Sequence, residues 1–329
     1  MKKETFQMSK SQILFNTLME QWLETKKENI KNSTFCKYEQ LVRLHIRPYF
    51  AKITCAKINQ KLLDEYYAEI SKKTVEGHLL AAGTLRCLCM LINGTLRRAQ
   101  EQGYLKNQYL LTPKLSREYH LAHVFSKENQ TLLEEYLFSH PSQYSCGILL
   151  ALYSGIRIGE LCALTYDDLD LTNGYVRIIR TVQRTAVTNF KEEKKKKTEL
   201  IITSPKSRSA YRLIPLPDFL IEYLNQYLIF SESRRFIFSK LGDTPVDPRT
   251  IQYFYKQVLE KAQIPYLNFH CLRHTFATRC ITLGWDVRTL SEILGHSDIK
   301  ITMEYYFHSS MEYKKLQMQK FEPLIQCVG

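Results

Sequence analysis

Residues 294–308 read LGHSDIKITMEYYFH, and the punctuation of this stretch decides how the C-terminal half of the chain folds. Leu290, Ile293 and Leu294 supply the apolar edge of a helix, and Gly295 falls where its C terminus is expected. Ser297 or Asp298 can then cap a following helix. The reading is helix, tight turn, helix, with His296 pinned in a connection of very few residues. A side chain pinned in this way has a defined direction, which suits catalysis and equally suits a simple helix-turn-helix. Tyr305 and Tyr306 occupy consecutive helical positions and must diverge by about 100° around the axis. At most one of them can face what His296 faces.

Working upstream, FHCLRHTFAT (269–278) places His270, Arg273 and His274 on one helical face, because positions three and four apart are neighbours. Two histidines at that spacing can bind zinc, but Arg273 on the same face opposes a metal ion and no third ligand is evident. In ALYSGIRIGELCAL (151–164), Arg157 follows Gly155 at the edge of an apolar helical pattern. Its guanidinium cannot lose its proton and needs a fixed anion. A salt bridge to Glu160 or Asp167 is one answer; a bound anion is another. In TSPKSRSAYRLIPLP (203–217), Lys206 sits at a hairpin tip with Arg208 and Arg212, a basic hairpin suited to a phosphate backbone or a minor groove.

The chain of 329 residues is long enough for two domains, each with a core of its own. Residues 1–111 read as an all-α domain: apolar residues recur as Leu14, Leu18, Trp22 and as Leu85, Leu88, Ile92, Leu96, with Ser33 or Thr34 and Gly103 as boundaries. Residues 112–124 lose that period and carry Pro113, which predicts a linker. Residues 125–329 restart at Ser126, a helix N-cap, and alternate as three short strands around Val176–Val182, Leu200–Ile202 and Leu213–Pro217 before helices return. The fold class expected is mainly α with a small antiparallel β-sheet.

A net charge of +13 favours a polyanionic partner. Residues 1–112 hold 18 Lys and Arg against 10 Asp and Glu, and the remainder 28 against 23, so both parts are positive. A partner that touches both, such as double-stranded DNA, is the simpler reading. No apolar run approaches the roughly 20 residues of a membrane span, and the polar N terminus is unlike a signal peptide, which predicts a cytoplasmic protein. The nine cysteines are odd in number and mostly sit in apolar helical patterns, so they read as reduced packing residues.

Two arginines, a lysine, two or three histidines and a tyrosine, without an acidic metal cluster or a Gly-rich phosphate loop, match a metal-free attack on a phosphodiester. Arginines hold non-bridging oxygens, tyrosine attacks, and histidine or lysine moves protons. No cofactor and no metal is expected.

These residues, in this order, closely resemble the tyrosine recombinase (phage integrase) family. GIRIGELCAL is similar to its first arginine motif, TSPKSRSAYRLIPLP to its lysine hairpin, HCLRHTFAT to its H-x-L-R-H box, and LGHSDIKITMEYYFH to its box ending in tyrosine. STFCKYEQLVRLHIRPYF (33–50) resembles its N-terminal DNA-clamping domain. The resemblance implies a SAM-like core-binding domain and a mixed α/β catalytic domain in a C-shaped clamp. It implies that Arg157 and Arg273 bind the scissile phosphate, Lys206 protonates the leaving 5′ oxygen, and His270 and His296 assist proton transfer and orient the phosphate. A tyrosine would form a 3′-phosphotyrosyl link. Some members place it ten residues after the motif's glycine, here Tyr305; those with a T-M-x-x-Y-x-H pattern place it eleven after, here Tyr306. Thr302, Met303 and His308 favour Tyr306. DNA contacts would fall to Arg208, Arg212, Lys37 and Arg43. The resemblance further implies a homotetramer on synapsed sites, integration or excision of a mobile element and a possible DNA-bending or directionality factor; the few residues before the first helix depart from family members that carry an arm-binding domain, so a short form without one is expected. A helix-turn-helix protein without chemistry and a type IB topoisomerase are the alternatives.

Overall fold

The computed structural model describes residues 13–75, 77–105, 112–113, 123–186, 198–204, 208–228, 235–239, 243–306, 315 and 318–319. Within them the chain forms two compact units, Met1–Tyr119 with Thr185–Thr198, and His120–Arg184 with Glu199–Gly329.

The first unit is built on four helices: α1 (Phe15–Lys26), α2 (Asn32–Leu41), α3 (Gln60–Lys72) and α4 (Ala82–Glu101). Helix α1 buries Phe15, Leu18, Met19 and Leu23, and α4 buries Leu88, Leu91, Ile92, Leu96 and Ala99, each a stripe of helical period facing the shared core. Phe15, Tyr49, Phe50 and Tyr66 pack with ring centroids 4.8 to 5.1 Å apart. Fully burying side chains of this size contributes about 1.5–3 kcal/mol each. Asn59 caps α3 by accepting from the Leu62 N–H at 3.0 Å. Helix α2 begins at Asn32, one or two residues before the expected boundary at Ser33 or Thr34; the extended Lys31 is its N-cap, and Ser33 and Thr34 fall in the first turn. A two-residue hairpin, β1 (Thr74–Val75) with β2 (His78–Leu79), interrupts the helices around Gly77, and hydrophobic periodicity is blind to strands so short.

The second unit is wrapped around α6 (Gln143–Ser154), which is buried on nearly every side and is preceded by α5 (Lys127–Ser139). Ser126 caps α5, accepting from Asn129 N at 3.2 Å, and Ser142 caps α6, accepting from Ser145 N at 3.0 Å. After the short α7 (Ile158–Cys162) come β3 (Leu169–Asp170), β4 (Tyr175–Ile178), β5 (Thr181–Ala186), β6 (Thr198–Thr203) and β7 (Arg212–Pro215). Strands β3, β4 and β7 make one antiparallel sheet in that order, with Val176 opposite Ile214 and both turned into the core; β5 and β6 pair separately. The expected strand around Val176–Val182 is thus two strands in two sheets. Helices α8 (Asp218–Tyr227), α9 (Pro248–Lys261), α10 (His270–Thr282), α11 (Val287–Leu294) and α12 (Ile299–Tyr306) complete the unit. Phe276, Ala277, Cys280, Ile281, Leu290 and Leu294 form a second small core between α10 and α11. No described helix is long and apolar enough to cross a membrane.

Candidate active site

Two chain breaks deliver polar residues to one place. Helix α6 stops at Gly155, whose φ of 64° lies in the left-handed region; a Cβ there would stand 2.6 Å from the Phe276 ring. The chain turns through Arg157, which is extended, and re-enters helix at Ile158. Helix α11 stops in the same manner at Gly295, φ 67°, and His296 follows with its N–H on the Ser291 carbonyl. Of the two expected caps for α12, Asp298 is used: its Oδ1 accepts from Lys300 N at 2.9 Å.

Arg273, on the first turn of α10, is 2% exposed. Its guanidinium donates to the Gly155 carbonyl at 2.7 Å and the Leu294 carbonyl at 2.7 Å, and stands 2.8 Å from His296 Nε2. Gly155 and Leu294 are the C-terminal ends of α6 and α11, where unsatisfied carbonyls carry partial negative charge. Helix ends and a neutral ring thus hold the arginine.

Arg157 lies alongside, its side chain 38% exposed and 2.9 Å from Glu160 Oε1, while its backbone N–H donates to Glu160 Oε2 at 3.0 Å. Of the two carboxylates considered as its partner, Glu160 is the one it meets. Glu160 serves a second arginine: Arg212 of β7 reaches it at 2.8 Å, with both side chains 5% exposed, and also donates to the carbonyls of Ile293 and Ala210. Burial alone would raise the Glu160 pKa, but the hydrogen bonds and charge of Arg212, reinforced by Arg157, hold it down to about 2. Arg157 and Arg212 therefore share one carboxylate, and with Arg273 also close to His296 the described residues of this locus carry more positive than negative charge, which suits a phosphate.

His296 is bounded on both ring nitrogens: Nδ1 lies 2.7 Å from Thr302 Oγ1, and Nε2 meets Arg273. Burial, then the charges of Arg273, Arg157 and Arg212, lower its pKa to about 3. His270 keeps contact with solvent at the start of α10, yet the partial enclosure of its ring and the charges of His274 and Arg273 lower it to about 4. The His270 and His274 rings stand edge to face, 4.6 Å apart. Both site histidines are neutral at physiological pH.

The structure thus brings together Arg157, Arg273, His270 and His296. Arg212, expected to contact DNA from the hairpin, is turned inward and bound to Glu160. Lys206 and His308 lie outside the described residues, as do the side chains of Arg208, Tyr305 and Tyr306; the backbone of both tyrosines is in the last turn of α12. Lys37 and Arg43 are exposed on the first unit. Glu160 was expected only as a partner of Arg157, and Thr302 only as a marker of the tyrosine's register; the tie of Glu160 to Arg212 and the contact of Thr302 with His296 are what the sequence did not reveal, and each is a polar group inside an apolar pattern, the signal that could have singled it out.

Residues 124–313 match the phage integrase family, and residues 14–71 match the phage integrase N-terminal SAM-like domain. The chain belongs to the phage integrase family. It is a site-specific tyrosine recombinase, an enzyme that cleaves and rejoins DNA. The sequence is 30% identical over 322 residues to a XerC-like tyrosine recombinase of Caldanaerobacter subterraneus subsp. tengcongensis, covering 90% of this chain and 79% of the relative. It is 25% identical over 188 residues to the transposase of transposon Tn916 from Enterococcus faecalis, covering 53% of this chain and 44% of the relative. The fold of the Tn1549 transposon integrase, solved with a circular intermediate DNA, superposes with a TM-score of 0.75 at 18% identity, covering 94% of this chain and 99% of that one. The expected SAM-like and recombinase folds are both present.

Proposed function

We propose that this recombinase integrates and excises a mobile element, cutting each strand through a 3′-phosphotyrosyl link made by Tyr306. The observation that carries the chemistry is the pairing of a buried Arg273, held by helix-end carbonyls, with the accessible Arg157. A scissile phosphate placed there gains charge-assisted hydrogen bonds that strengthen as charge develops on its oxygens.

In this reading the Tyr306 oxygen attacks phosphorus, the P–O bond to the sugar 5′ oxygen breaks, and a proton from Lys206 goes to that oxygen. Neutral His270 accepts the tyrosine's proton, as its low pKa keeps a ring nitrogen free of a proton at pH 7. One phosphodiester is exchanged for another, so resealing by the reverse step needs no external energy source. His296, with both nitrogens engaged inside the protein, orients Arg273. Lys37 and Arg43 supply DNA contacts from the SAM-like domain, and exchange takes place in a homotetramer on synapsed double-stranded sites, helped where necessary by a DNA-bending or directionality factor. Residues 1–111 serve as the core-binding domain, 112–124 as the linker and 125–329 as the catalytic domain. The similarity to the Tn916 transposase supports the mobile-element assignment.

The test is a nicked suicide duplex carrying the junction of the element's ends. The wild-type chain is expected to form a covalent adduct that survives denaturant, Tyr305→Phe to retain it, and Tyr306→Phe to lose it. Loss in Tyr305→Phe with retention in Tyr306→Phe moves the nucleophile by one residue. Relaxation of supercoiled DNA without sequence preference points to topoisomerase activity, and site-specific binding with no adduct to a DNA-binding protein.

A further inference from the structure

We infer that Thr302 is a positioning residue: its hydroxyl holds His296 in the Nδ1–H tautomer and, through that ring, fixes the guanidinium of Arg273, so that the docking of α12 and the readiness of the phosphate site are coupled.

A guanidinium has N–H donors and no acceptor. The 2.8 Å contact between Arg273 and His296 Nε2 therefore requires a lone pair on Nε2. An imidazolium, or the Nε2–H tautomer, would set N–H against N–H at that distance. The ring is neutral, so its single proton is on Nδ1, and the group it meets there, Thr302 Oγ1 at 2.7 Å, is the acceptor. Thr302 is fully buried and lies on α12, one turn before Tyr306. A relay thus runs from the helix that bears the tyrosine, through a hydroxyl and an imidazole, to the arginine of α10. The tautomer of a histidine is commonly set by the partner of its remote nitrogen, and here that partner comes from the helix that must be in place for attack.

This rests on the recombinase reading for its consequence but not for its first measurement, which needs no DNA. In the full-length chain labelled with ¹⁵N-histidine, long-range ring correlations at pH 7, assigned by loss of the signal in His296→Asn, are expected to show His296 protonated on Nδ1 in wild type and in Thr302→Ser. Thr302→Val, close in volume but without the hydroxyl, is expected to shift the ring toward Nε2–H. It should also slow single-turnover cleavage of the suicide duplex by between about 10- and 100-fold, the cost of a slightly misplaced group. Noncovalent affinity for the same duplex should stay at wild-type level. An Nε2–H ring in wild type overturns the inference, as does Thr302→Val with wild-type tautomer and rate, or a shifted tautomer with an unchanged rate. If Thr302→Val does not fold, the wild-type and Thr302→Ser spectra decide the tautomer, and the Thr302→Ser rate decides the coupling: cleavage slowed with the Nδ1–H form retained overturns it.

Discussion

Arg212 and Arg273 are both buried in the same unit, and they solve the problem of a buried cation in opposite ways. Arg212 meets a carboxylate, Glu160, with side chains equally hidden from solvent. Arg273 meets two helix-end carbonyls and a histidine. The first arrangement neutralises most of the charge and spends it on architecture, tying β7 to α7 and, through the Ile293 carbonyl, to the end of α11. The second ties the guanidinium to the ends of α6 and α11 and to His296. Burial of an arginine therefore does not by itself say what it does; the groups that hold it differ between the two.

The comparison is broken most forcefully at Arg212. Arg212→Ala leaves Glu160 buried with Arg157 as its remaining partner among those described, and removing one member of a buried pair costs about 3–5 kcal/mol. The midpoint of chemical unfolding should fall accordingly, and Glu160→Leu in the same chain should recover part of the loss by removing the stranded charge. The bridge also has a pH signature. The folded Glu160 pKa, near 2, lies below its ordinary value near 4.5, so the bridge's contribution is fully present above about pH 4.5 and is lost as pH falls through about 2. Unfolding titrations in Arg212→Ala should lack that acid limb. An unchanged limb would mean that Glu160 is held by Arg157 alone.

At Arg273 the order of effects reverses. Arg273→Lys keeps the charge but not the planar fork that reaches Gly155, Leu294 and His296 together. Cleavage of the suicide duplex should fall on the order of 100-fold, equivalent to about 2.7 kcal/mol of transition-state stabilisation. If Arg273→Lys instead cleaves normally, the helix-end carbonyls are scaffolding and the phosphate is held elsewhere.

How far the sequence revealed this contrast follows from the distances involved. Helix stops at Gly155 and Gly295 and the cap at Ser126 are local events, encoded within a few residues, and they stand where the pattern put them. Arg157 was marked by its place beside Gly155 at the edge of an apolar period, His270 and Arg273 by their helical spacing and His296 by the tight turn after Gly295, and the fold brings them together. Arg212 could not be read in this way: its carboxylate lies 52 residues upstream and its carbonyl acceptor 81 downstream, so a basic hairpin and an internal tie look alike in sequence. The division of the strands among two sheets is likewise a matter of pairing, which alternation alone does not specify.

The smallest expected effect sharpens the same point, because it is the near absence of one. A histidine that works as a proton acceptor at its ordinary pKa near 6.5 would impose an acid limb on cleavage as pH falls through that value. Here burial and the charges of Arg273, Arg157 and Arg212 around His296, and those of His274, Arg273 and Arg157 around His270, lower the two rings to about 3 and about 4. In the free enzyme both stay neutral well below pH 6.5. Cleavage at subsaturating DNA, which reports groups of the free enzyme, should therefore change by less than about threefold between pH 8 and pH 5.5. A drop with a midpoint near 6.5 would show that burial and the neighbouring arginines do not hold the two rings neutral, and that Arg273 and Arg212 differ less than their partners imply.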